Sequence, residues 1–145
     1  MNKYLTEFIG TFFLVLVIGL TGNPLAIGSA LMVMVYMGGH ISGAHYNPAV
    51  TIAITMRGKC EGREVAPYIV AQILGAVAAG CVFYALTAGT FAPAPGEDVE
   101  VWRVLVAEVV FTFALALVVL NTATHSKTDG RRNVSVPTSV GWPTA

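Results

Sequence analysis

Four apolar runs constrain this chain more than anything else in it: Tyr4–Leu20, Pro24–Met37, Val65–Ala88 and Val101–Asn121. A helix rises 1.5 Å per residue and a bilayer core is about 30 Å thick, so roughly 20 apolar residues make a crossing. The second run is short unless it continues through Gly38 and Gly39. Of the 145 residues 55% are hydrophobic and only 11% charged, where soluble domains carry about 25% charge. Mean hydropathy is +0.71. These values exclude a water-soluble globule and predict an all-α membrane protein whose first partner is the lipid bilayer.

The formal net charge is zero, yet the eight Lys and Arg are unevenly spread. If the helices alternate, Lys3, then Arg57, Lys59 and Arg63, then Lys127, Arg131 and Arg132 share one side. Glu97, Asp98 and Glu100 lie opposite with Arg103. The positive-inside rule then puts both termini in the cytoplasm, in a multi-pass protein of the cell membrane. Clustering of this kind reports topology, and no nucleic-acid partner is expected. Glu7 inside the first run, with no small-x-small site after it, argues against a signal peptide. Cys60 and Cys81 show no metal-ligand spacing and are not expected to pair. No cofactor is implied, and three scattered histidines supply no catalytic cluster, so an enzyme is not expected. Residues 125–145 read as a cytoplasmic tail without predicted structure.

Between the second run and the basic cluster the chain turns polar, "GGHISGAHY", and then apolar again, "NPAVTIAITM". Asn47 is a favoured N-cap, and Pro48 suits a first helical position because its missing N–H needs no partner there. Ser42 and Gly43 permit a turn. The nine residues after Asn47 reach only about 13 Å as a helix, less than half a bilayer. The spacing predicts a re-entrant half-helix entered from the cytoplasmic side. Irregular backbone at membrane depth is tolerated only against protein or beside a water-filled cavity. A broken helix here therefore implies a path, with the positive end of a helix dipole pointed at it.

The stretch "GHISGAHYNPAVT" resembles the first signature of the aquaporin, or major intrinsic protein, family. "TEFIGTFFLVL" and "VAPYIVAQILGA" are similar to that family's first and third helices, and the resemblance covers residues 4 to about 124. It implies an aquaporin-like helical bundle of about four transmembrane helices plus one re-entrant half-helix, passing water and/or small neutral solutes passively. Asn47 would then offer its side-chain amide to the solute, while Pro48 and Ala49 fix the helix start. The carbonyls of Gly43, Ala44 and His45 would form a ladder of acceptors, although a lone histidine can equally be a satisfied structural group. Ile27, twenty residues before Asn47, falls where the family places a filter side chain, or else faces lipid or core. Water-selective members favour an aromatic there, which leaves other small neutral solutes open. His40 reads as structural.

Glu7 and Glu108 would be costly if isolated in lipid, so they should face protein and accept hydrogen bonds, or else snorkel near the interface. By resemblance they hold the re-entrant loops, with Gln72 in support. They also mark a repeat. "TEFIGTFFLVLV" and "AEVVFTFALALV" agree at Glu7 and Glu108, Thr11 and Thr112, Phe12 and Phe113, and three further positions, at a constant separation of 101 residues. Three spans lie between the copies, so the second starts from the opposite face, as in inverted-repeat transport proteins. The reading is an incomplete inverted repeat, with a first unit over 4–88 and the start of a second over 101–124. The same separation puts the counterpart of Asn47 at position 148, past Ala145. A truncated or frame-shifted product would account for that, as would a half-channel completed by a second copy in a homo-oligomer. A membrane interaction protein also fits.

Overall fold

The computed structural model describes residues 2–92, 94–96 and 99–123. Five helices follow one another: α1 Lys3–Thr21, α2 Pro24–Gly38, α3 Pro48–Met56, α4 Gly62–Thr87 and α5 Val101–Ala123. Among the described residues there is no strand. The acidic pair Glu97–Asp98 and the expected tail, 125–145, lie outside the described residues.

Local chemistry sets the helix ends. Asn2 caps α1 by accepting from the Tyr4 N–H at 3.0 Å, and Gly22 stops the helix in the left-handed region at φ 57°, where glycine carries no Cβ penalty. Asn23 accepts from Leu25 N–H at 2.9 Å ahead of Pro24. That turn is tight, and α2 therefore returns antiparallel to α1. Ala88, also left-handed, ends α4. Beyond it, the Phe91 ring folds back onto Phe83, with ring centroids 4.8 Å apart.

Helices α1, α4 and α5 are long and apolar enough to cross a membrane. The fourth expected span is shorter. α2 has 15 residues, about 22 Å of helix, and does not run on through Gly39. At residues 39–42 the chain turns instead, with the Ile41 and Ser42 N–H groups both reaching the Gly38 carbonyl at 2.9 Å.

α1 lies against α4 and α2, while α3 lies against α4 and α5. The α1–α4 seam is close because α4 presents Ala71, Gly75 and Ala79, all buried, at four-residue spacing. A Cβ on Gly75 would meet the Phe8 carbonyl oxygen. In lipid, such packing and hydrogen bonding hold helices together, since lipid tails are as apolar as leucine. Burial is correspondingly inverted. Thr6, Glu7, Thr11, Ser42, His45, Thr51 and Gln72 are inside, and Leu25, Val109 and Phe111 outside.

Candidate functional site

The buried polar side chains converge on the segment between α2 and α3. Gly43 has φ 91°, Ala44 φ 53° and Tyr46 φ 49°, so the backbone repeatedly enters the left-handed region that costs non-glycine residues about 1–2 kcal/mol each. Glu7 compensates for that strain. Its Oε1 accepts from Ser42 Oγ at 2.6 Å and from His45 N–H at 3.0 Å. Its Oε2 accepts from Tyr46 N–H at 2.7 Å and from Gln72 Nε2 at 2.9 Å. Ser42 Oγ in turn accepts from Ala44 N–H at 3.0 Å. The N–H groups of residues 44 to 46 are thus all drawn toward α1, directly or through Ser42.

The carbonyls divide differently. Tyr68 Oη donates to the Ser42 carbonyl at 2.7 Å, and Thr11 Oγ1 to the Tyr46 carbonyl at 3.3 Å. Among the described residues, nothing donates to the carbonyls of Gly43, Ala44 or His45. Three consecutive free acceptors are therefore bracketed by two occupied ones.

Next comes Asn47, at φ −153°, whose Oδ1 accepts from the Ala49 N–H at 2.8 Å. With the oxygen committed to the cap, the Nδ2 donors are left without a partner among the described residues. Pro48 is exposed and starts α3, with Ala49 half-buried behind it. Thr51, one turn on, donates to the Asn47 carbonyl at 3.1 Å and accepts from Gln72 Nε2 at 3.0 Å. It also meets His45 Nδ1 at 3.2 Å. Gln72 Oε1 is the buried polar side-chain atom without a partner among the described residues. Turning the amide over would set that oxygen against the Glu7 carboxylate, so the orientation follows from charge.

The His45 ring packs beside Tyr68, centroids 4.9 Å apart. Both line a cleft of about 280 Å³ together with Ser42, Gly43, Lys3 and Arg63. At its rim Glu64 accepts from Lys3 Nζ at 2.6 Å and from Tyr4 Oη at 2.7 Å, tying the start of α1 to the start of α4. His40 is exposed and lines the same cleft. Cys60, another lining residue, and Cys81 on α4 are free thiols.

Two expected site residues stand apart. Ile27 is half-buried on α2 and takes no part in the network. Glu108 is exposed on α5, against the expectation that it faces protein and accepts hydrogen bonds. Among the described residues it has its own helix α5 around it rather than a re-entrant loop. The sequence reading also passed over Ser42, Tyr46, Thr51 and Tyr68 as partners in the network. Spacing held a signal for two of them. Thr51 follows Asn47 by four residues and Tyr68 precedes Gln72 by four, so each pair shares a helix face.

The family model for the major intrinsic proteins matches residues 1–143. The chain belongs to the major intrinsic protein family. Its relatives include Aquaporin Z of Rhodopseudomonas palustris, 36% identical over 87% of this chain and 64% of that protein. Aquaporin AqpM of Methanothermobacter thermautotrophicus is 35% identical over 87% of this chain and 67% of that one. Aquaporin NIP1-3 of Oryza sativa subsp. japonica is 38% identical over 89% and 51%. The chain thus spans about half to two thirds of the length of these relatives. With its long apolar helices and inverted burial, this major intrinsic protein is an integral membrane protein.

Proposed function

We propose that this protein forms the wall of a channel for passive passage of water and small neutral solutes. The observation that carries the reading is the polarity of residues 43–47. Each N–H of residues 44–46 is engaged and each carbonyl of 43–45 is free. The free Asn47 amide donors come next. A solute that both donates and accepts hydrogen bonds, as water and polyols do, could pass from carbonyl to carbonyl and on to the amide. Each step would replace the hydration it gives up. A cation would meet the same carbonyls but also the positive end of α3.

In this reading Glu7 and Gln72 hold the loop, Asn47 contacts solute, and His45 shapes the cleft through which solute enters. The basic residues Lys3, Arg57, Lys59 and Arg63 put that cleft on the cytoplasmic side. A second copy of the chain would supply the facing wall. A second reading, a membrane protein that works by association, draws on α5, whose membrane-length window is 0% buried.

Osmotic swelling of liposomes holding the full chain tests the proposal. The wild type should swell faster than empty vesicles in water and glycerol gradients. Asn47→Asp keeps the cap, because Asp and Asn cap alike, but replaces the donors with a charge. It should insert normally and lose the flux. Wild-type swelling at the empty-vesicle rate, with correctly inserted protein, would refute the channel reading. Cross-linked oligomers alongside it would favour association.

A further inference from the structure

Tyr46 stands directly before the helix tip, and its side chain does what no other residue of the loop does. The loop leaves α2 by a turn on the Gly38 carbonyl and is then tied to α1, α3 and α4. Beyond that turn, and among the described residues, Tyr46 is the one whose side chain reaches α2, its phenol donating to the Met34 carbonyl at 2.9 Å. The ring is 2% exposed and lies in a slot floored by two glycines. A Cβ on Gly10 would meet the ring, and one on Gly38 would meet the phenol oxygen. The N–H and carbonyl of the same residue are bonded to Glu7 and Thr11 on α1. One residue, in a left-handed conformation that a bulky side chain rarely adopts, is thus fastened from two helices at once.

We propose that Tyr46 is a positioning residue: its phenol sets the depth and tilt of the half-helix tip, and thereby the spacing between the free carbonyls and the Asn47 amide. The inference rests on the channel reading for its effect on flux, though not for its effect on the tip. Without the phenol, α1 and α4 would hold the segment from their own side, leaving the tip less restrained toward α2. The bond to α2 adds a further point of attachment that limits that motion.

Tyr46→Phe removes one oxygen and keeps the ring in its slot. Gly38→Ala leaves the phenol intact and should displace it from Met34, with the added methyl also pressing on Thr6 of α1. The measurement is amide exchange by NMR in micelles, with water and glycerol flux in liposomes. Both variants should speed exchange at Ala49 and Thr51, whose N–H groups bond to Asn47. The expected factor is about three to ten, as one neutral hydrogen bond would give. Exchange at Ala79, in the α1–α4 seam, should stay as it was. The ratio of glycerol to water flux should rise by a similar factor. A purely structural role would scale both fluxes together and speed exchange everywhere alike, and either result overturns the proposal. So does unchanged exchange at Ala49. If the wild type carries no flux, the channel reading falls by itself, and the exchange pattern still decides whether the phenol holds the tip.

Discussion

A carboxylate buried among apolar helices, with no cation paired to it, persists only if its lone pairs all meet donors. Glu7 is 0% exposed and has four donors, two on each oxygen. Glu7→Gln keeps the shape but points an NH₂ at donors. The expected loss is at least about 3 kcal/mol, since bonds to charged groups are worth about 1.5–3 kcal/mol each. Thermal unfolding in detergent measures it, and a variant as stable as the wild type would contradict the role. Thr51→Val is a milder test of the same network. It removes the oxygen shared by His45, Gln72 and the Asn47 carbonyl. A loss of about 1–3 kcal/mol is expected. The importance of Glu7 was legible in the sequence because a lone acid in a long apolar run must either snorkel to the interface or meet donors inside. Its partners at Ser42 and at the His45 and Tyr46 amides were not. Backbone N–H groups carry no letter of their own, and only the left-handed turns aim them.

Among the elements, α3 was readable almost to the residue, because Asn-Pro followed by nine apolar residues has a strong start and a fixed length. Its position also depends on α4. Gly75 lets α4 approach α1 at the Phe8 carbonyl, and that approach brings Gln72 and Tyr68 to the loop. Gly75→Leu should push the helices apart and cost about 1–3 kcal/mol, as overpacking does. It should also loosen the loop, seen as faster exchange at the His45 and Tyr46 amides. Stable protein with unchanged exchange there would show that the seam does not set the loop. α2 was legible in position and, to within one residue, in extent: the apolar run is Pro24–Met37 and the helix Pro24–Gly38. Its end depends on the turn at 39–42 and on the Tyr46 ring filling the space beside Gly38, which are tertiary facts.

Among the described residues, the helices keep polar side chains such as Glu7, Thr11 and Gln72 inside and turn many apolar ones outward, the arrangement lipid selects. Orientation is a consequence of charge and is open to direct measurement with the native thiols. Cys60 lies in the basic loop that lines the cleft, whereas Cys81 sits on the apolar surface of α4. A membrane-impermeant maleimide should label Cys60 in inverted vesicles and leave it untouched in right-side-out cells, with Cys81 unlabelled in both. Labelling of Cys60 from outside would reverse the topology and put the cleft on the external face.

The sequence by itself determined the medium, the helices and the break between them, because hydropathy, capping and proline geometry act over a few neighbouring residues. It also marked Glu7, Asn47 and Gln72 as polar groups that lipid alone would not tolerate. Only the tertiary structure decided which carbonyls of the loop stay free and which are occupied. That outcome depends on Glu7, Thr11, Tyr68 and Gln72 arriving from two different helices at one short segment. Hydrogen-bond pairing at such range is fixed by packing distance, to which no local stretch of sequence has access.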